Sequence, residues 1–207
     1  MCIARTLFGR VEGEMQGGMV VFRGVPVGEG QPGQPPHGPT PWRKVRRCVK
    51  FSIFNSQFSI LNADVYTPRV LMSDRRPVVV TLAGDGCSQA LARRAALSGM
   101  VGIRLRLRLG DAPGASQIGK KGAGHRAQSP IFNFQFSIFN SKDLAHSLQW
   151  TKENIDYFGG NGRNLHLLLS PRAAHWATEI SHDPQLAQWL QTICTYRKGE
   201  LIPLITL

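Results

Sequence analysis

The sequence predicts an α/β domain, with β hairpins at the N-terminus and then strands and helices alternating along a partly parallel sheet. Three stretches carry the prediction. Residues 77–82, PVVVTL, form a β-branched apolar run suited to a parallel strand buried on both faces. Leu144, Leu148, Thr151 and Ile155 fall on one helical stripe, closed by Gly159-Gly160 in the manner of a left-handed cap. Leu165 to Leu169 is a second apolar run, which enters a sharp turn at Ser170-Pro171 and then a further helical segment.

The chain opens with two short β segments, around Gly9–Gly13 and Val20–Pro26, joined by glycine-rich turns. Gly28 to Pro41 is dense in Gly and Pro and reads as an extended loop, with Trp42 and Val45 as the next apolar anchors. Asp64 to Pro68 has the composition of a strand end, and the 77–82 strand discharges into Ala83-Gly84-Asp85-Gly86. Ala90 to Ser98 is a helix ended by Gly99. Ile103, Leu105, Leu107 and Leu109 alternate with Arg104, Arg106 and Arg108, a period of two that predicts a strand with one wet face. Such a strand sits badly in a sheet covered on both sides. Gly110 to Ser129 is loop, and Ser141 or Asp143 caps the helix that ends at Gly159. Pro171 is placed as a first helical residue before Arg172 to Ile180. The tail holds a short amphipathic segment, Gln185 to Tyr196, and an apolar end, Leu201 to Leu207.

At 207 residues and 42% apolar content the chain is long enough for one domain with a sizeable core. It holds no uninterrupted apolar run of the roughly 18 residues that a membrane span requires, and Glu12 and Glu14 arrive before any apolar segment of the secretory type, so no signal is read. Its compartment is unknown. Cys2, Cys48, Cys87 and Cys194 are scattered without a C-x-x-C pair, which argues against a metal site and for no cofactor. The formal charge of +12 invites a nucleic-acid or membrane reading. The basic residues, however, form short clusters (Arg43-Lys44, Arg46-Arg47, Lys120-Lys121) with no binding module around them, so dedicated nucleic-acid binding is not expected.

Two tracts are foreign to the rest: FSIFNSQFSILN at 51–62 and IFNFQFSIFNS at 131–141, each containing FSIFN. Three phenylalanines in the first and four in the second make seven of the chain's ten, so the aromatic content reflects repetition more than core design. The units are too short and too far apart for a structural repeat. They read as low-complexity insertion; the functional alternative is self-association through uncharged, β-prone segments.

The ordered stretches resemble the type B carboxylesterases, the α/β-hydrolase family that includes cholinesterases. GRVEG at 9–13 and FRGVPV at 22–27 are similar to its opening hairpins and its F-x-G-I-P-Y segment, and Pro41-Trp42 to its Pro-Trp. VYTP at 65–68 is similar to N-V-Y-x-P, and PVVVTLAGDG at 77–86 to the strand leading into the H-G-G-G loop. Arg108-Leu109-Gly110 resembles Tyr-Arg-Leu-Gly. DLAHSLQWTKENIDYFGGN at 143–161 resembles D-x-x-x-A-L-x-W-V-x-x-N-I-x-x-F-G-G-D, the most specific of these matches.

The resemblance implies a partial α/β-hydrolase sheet, a single incomplete domain over 1–207 interrupted by the two tracts and truncated after the nucleophile turn. The implied chemistry is hydrolysis of a small-molecule carboxylic ester through an acyl-serine. The nucleophile falls at Pro171, with Leu169 and Ala173 where the G-x-S-x-G turn has its glycines. Proline has no hydroxyl, and its ring fixes φ near −65°, so Pro171 neither attacks nor adopts the strained backbone of that turn. Ser170 is one position early, flanked at two residues by Leu168 and Arg172, and is a weak candidate.

Gly84, Asp85, Gly86 and Arg172 correspond to the oxyanion hole, with Ala83 in place of the family's histidine. A carboxylate at Asp85 would oppose the charge the hole must stabilise. The residues after Pro171 are too few for the later strands that carry the family's acid and histidine. His175, Glu179, His182, Asp183 and Glu200 are read as solvated or core groups. The expectation is an inactive ester-hydrolase fragment. The alternatives are a non-catalytic protein-interaction module on the same fold, or residual weak esterase activity through Ser170.

Overall fold

The computed structural model describes residues 2–31, 34–47, 60–83, 87–108, 141–171, 173–174, 176–197 and 200–207. The described strands are β1 (Cys2–Arg5), β2 (Arg10–Gln16), β3 (Met19–Glu29), β4 (Arg46–Arg47), β5 (Ile60–Thr67), β6 (Arg76–Leu82), β7 (Val101–Arg106), β8 (Gly160–Leu169), β9 (Thr192–Arg197) and β10 (Glu200–Thr206). They join into one sheet in the order β1-β2-β3-β5-β7-β6-β8-β9-β10, with β4 beside β2. The middle of the sheet, β7-β6-β8-β9, is parallel. The N-terminal strands and β10 are antiparallel to their neighbours.

The helices α1 (Ser88–Leu97), α2 (Ser141–Asn154), α3 (Trp176–His182) and α4 (Pro184–Ala187) cover the sheet on both sides. Val78 and Val80 of β6 pack with Leu144 and Leu148 of α2 and Ile180 of α3, whereas Val79 packs with Leu91 and Ala95 of α1. Both faces of β6 are therefore dry. That is why its sequence is a continuous apolar run and not an alternating one.

Gly102 and Gly159 are among the glycines that geometry requires. Gly102 of β7 lies so close under α1 that a Cβ there would sit 1.9 Å from the Ala92 carbonyl oxygen. Gly159 ends the single 3₁₀ turn that follows α2 with φ of 86°, and a Cβ there would lie 2.9 Å from the Arg69 carbonyl oxygen. The left-handed cap read from Gly159-Gly160 thus falls on Gly159 alone, Gly160 being the first residue of β8.

Several sequence expectations are corrected. The loop expected from Gly28 begins later, because β3 continues to Glu29, whose N–H and carbonyl exchange 2.9 Å hydrogen bonds with His37. In the first phenylalanine-rich tract, Ile60–Asn62 are ladder residues of β5 with Leu61 fully buried, and Ser141 of the second opens α2. The rest of both tracts lies outside the described residues.

The alternation along β7 predicts a wet face, yet the strand lies inside the sheet between β5 and β6. Its arginines are accommodated because Asp64 stands opposite Arg104 on β5. The Asp64 carboxylate pairs with Arg106 and lies 3.5 Å from Arg104, while Arg104 Nε donates to Ser88 Oγ at 3.0 Å. Opposite charges placed across a ladder support each other where a lone charge would not be tolerated.

The tail differs most. Pro171 does not start a helix: it stands in a turn, and α3 begins only at Trp176. The amphipathic segment from Gln185 divides into the end of α4, capped by the Asp183 carboxylate on Gln185 N–H at 2.8 Å, and strand β9. The apolar end folds back on β9 as β10, so the edge of the sheet is β10. Pro203 and a bulge between Pro203 and Ile205 interrupt the β10 ladder.

Candidate nucleophile turn

β6 and β8 run side by side and parallel, with Thr81 opposite Leu168. At this end of the sheet β6 passes into Ala83 and residues 84–86, and β8 passes into Ser170 and Pro171. The two stretches that the resemblance assigns to the oxyanion hole and to the nucleophile thus leave neighbouring strands at their carboxyl ends. Open α/β sheets bind ligands there, beyond the carboxyl ends of their strands. Gly84, Asp85, Gly86 and Arg172 lie outside the described residues, so the geometry of the hole is not part of the structure; His175 is likewise outside.

The turn itself is described. Thr195 of β9 donates its hydroxyl to the Leu169 carbonyl at 3.1 Å, fixing the last residue of β8. Ser170 then closes the turn: its carbonyl accepts from Ala173 N–H at 2.9 Å, and its Oγ accepts from the same N–H at 3.2 Å. The serine side chain is folded onto its own backbone, a short-range hydroxyl turn of the type that competes with regular structure. Pro171 is exposed at the tip.

No described histidine serves Ser170. His166 is four residues earlier on the same extended strand, about 13 Å at 3.3 Å per residue. Its Nδ1 lies 2.7 Å from Thr192 Oγ1, and burial pushes its pKa below the usual histidine value. His146 Nε2 faces the Val27 carbonyl at 3.2 Å, again with its pKa lowered by burial. Asp183 is engaged as the cap of α4, and Glu179 is exposed on α3. Among the described residues no group of three or more His, Cys, Asp or Glu could hold a metal ion, and no helix is long and apolar enough to cross a membrane.

Three clusters have no clear signature in the sequence. One is Asp64 with Arg104 and Arg106. The second is a buried pair, Arg108 Nε donating to the Asp143 carboxylate at 2.9 and 3.1 Å, with Arg108 also donating to the carbonyls of Gln31 and Gln34 at 2.8 Å each. The third runs from His166 through Thr192 to Cys194, whose Sγ is 3.5 Å from Thr192 Oγ1. Alternating Arg in 104–108 is the only signal for the first two, and its meaning depends on strand register. Nothing in the local sequence announces the third.

No protein-family model matches the chain, and no curated protein matches it by sequence. Solved structures do. A carboxylesterase of Geobacillus stearothermophilus superposes with a TM-score of 0.67 at 20% identity, covering 94% of this chain and 43% of that one. An esterase of the anaerobe Clostridium hathewayi, described as able to hydrolyse aliphatic aromatic polyesters, gives 0.69 at 15% identity, with 94% and 43% covered. A PNB esterase gives 0.66 at 20% identity, with 93% and 43% covered. The chain therefore has the α/β-hydrolase fold of carboxylesterases. It spans about 43% of the length of the esterases it matches.

Proposed function

We propose that this chain is a carboxylesterase-type α/β-hydrolase portion that is catalytically silent at its nucleophile turn. The carrying observation is the turn after β8, where Pro171 occupies the expected nucleophile position and the neighbouring Ser170 hydroxyl accepts a hydrogen bond from Ala173 N–H at 3.2 Å. Ester hydrolysis on this fold requires a serine Oγ whose proton passes to an imidazole and whose attack builds an oxyanion held by backbone N–H groups. Proline supplies no Oγ. His146 and His166 bond elsewhere, and the resemblance places both the acid and the base of the triad on loops after later strands.

Residual turnover through Ser170 is the competing reading, and its folded-back hydroxyl speaks against it. The test is reaction of the whole chain with a fluorophosphonate probe and with p-nitrophenyl acetate. The expected outcome is no stoichiometric labelling, and ester cleavage no faster than an equal concentration of free imidazole. Labelling that is fast, complete and lost in Ser170→Ala would overturn the proposal.

A further inference from the structure

Between β5 and β6 the chain reads PRVLMSDRRP at 68–77, an apolar centre set among arginines. A single 3₁₀ turn, Met72–Asp74, forms there, and none of its residues is buried. Leu71 and Met72 are 45% and 54% exposed. The turn is nevertheless fixed. Arg69 and Arg76 both hold the Asp74 carboxylate, and Arg76 reaches on to the Gly99 carbonyl at 2.7 Å. Thr67 donates its hydroxyl to the Arg69 carbonyl at 2.7 Å, and the Arg76 N–H donates to the Gly159 carbonyl at 3.0 Å. Arg75 closes the turn with φ of 46°, a left-handed conformation that non-glycine residues seldom take; among the described residues no other non-glycine has a positive φ. Three arginines, Arg69, Arg75 and Arg76, stand against one carboxylate, and Arg75 enters no ion pair among the described residues.

We infer that this turn docks the chain on an anionic lipid surface, Leu71 and Met72 entering the interface while Arg69 and Arg75 meet the headgroups. Exposed apolar side chains lose their water on entering. Basic residues beside an apolar wedge are the combination that interfacial binding uses, each cation adding attraction to an anionic leaflet. The arginine stems can lie along the apolar pair while their guanidinium groups stay at headgroup level. Because the turn is already held by hydrogen bonds, little ordering opposes binding. The shape of the site favours lipid over a polypeptide. An acidic peptide would satisfy the arginines but leave Leu71 and Met72 in water, since they stand out from a turn instead of lining a groove. The turn leads into the amino end of β6, so the docked end of the sheet is opposite the one that bears the turn at 170–171.

The experiment is co-sedimentation of the whole chain with vesicles of phosphatidylcholine alone and of phosphatidylcholine with phosphatidylserine in equal parts. The anionic vesicles are expected to bind at least about tenfold more tightly, and added salt to loosen them. The double variant Leu71→Ser with Met72→Ser should weaken that binding about tenfold, because the apolar area that enters the interface is gone. Arg75→Gly should weaken it about fivefold, the worth of one cation near such a surface. Its Tm should hold or rise, because glycine takes the left-handed conformation freely. Arg10→Gln removes the same charge from an exposed position on β2 and should leave the affinity within about twofold. Equal binding to the two kinds of vesicle would overturn the proposal, as would an unchanged affinity in the double variant. Arg10→Gln weakening binding as much as Arg75→Gly would also overturn it, since that marks diffuse attraction by the net charge of +12. Poly-glutamate bound as tightly as the anionic vesicles, and released in Arg75→Gly, would overturn the lipid assignment in favour of an acidic polypeptide.

Discussion

Asp74 sits between two arginines: Arg69 donates to it twice at 2.7 Å and Arg76 once at 2.9 Å. The Arg69 hydrogen bonds, ahead of the one from Arg76, hold its pKa at about 2. A carboxylate with a depressed folded pKa stabilises the fold above its unfolded value, and that contribution disappears as pH falls through the folded one. Asp74→Asn should therefore unfold at a lower temperature than the parent by a constant margin above about pH 4, and the margin should close as pH approaches 2. The thermal midpoint measured across that range checks it.

His146 and His166 also have lowered pKa values, here because burial disfavours the charged imidazole. The unfolded chain takes up their protons first, so stability should fall as pH drops below about 6.5. In His146→Gln the slope of that fall should be shallower. Neither effect is legible in the sequence, because burial of a histidine depends on what packs over it. The same holds for Asp64, which reads as the end of a strand until β5 is seen to pair with β7 and its carboxylate meets two arginines.

The contact of α1 with β7 depends on the missing side chain of Gly102. In Gly102→Ala the added methyl would meet the Ala92 carbonyl 1.9 Å away, in backbone that has no rotamer to yield. The helix must lift from the sheet, and a loss of about 2 kcal/mol or more in urea unfolding is expected. Elements with a strong period are legible in the residues alone: β6 from its continuous β-branched run, and α2 with the 3₁₀ turn after it from a stripe whose members Leu144, Leu148, Thr151 and Ile155 are all fully buried.

Elements whose form is set by neighbours are not. β7 alternates like a surface strand but sits inside the sheet, its charges met across the ladder. Pro171 has the chemistry of a first helical residue, yet the Ser170 turn forms ahead of it and the helix waits until Trp176. Of the candidate site, the proline at the nucleophile position is legible as a residue type. The folded-back serine hydroxyl is not, because it depends on where Ala173 N–H points.

At the scale of the whole chain, one apolar cluster runs from Ala4 on β1 to Ile193 on β9 through strands from both the antiparallel and the parallel part of the sheet. A shared core of this kind predicts a single cooperative thermal transition, followed by near-ultraviolet circular dichroism and by fluorescence, with the two probes coincident. Arg108 and Asp143 contribute to that unity from the edge of the core, their side chains only 2% and 0% exposed. Arg108→Met should cost about 3–5 kcal/mol, because it removes a buried guanidinium from a buried carboxylate.

The same pair has a meaning for inheritance. Arg108 leaves β7 and Asp143 lies in the first turn of α2, so their ion pair rivets together the two ends of the stretch 109–140. Once the ends are riveted, residues added between them raise the entropy of closing the span by about 0.6 kcal/mol for each doubling. Doubling that span with an inserted Gly-Ser run should shift stability by less than about 1 kcal/mol, far below the effect of Arg108→Met. A lineage carrying this rivet can gain sequence there while the sheet on either side is passed on unchanged.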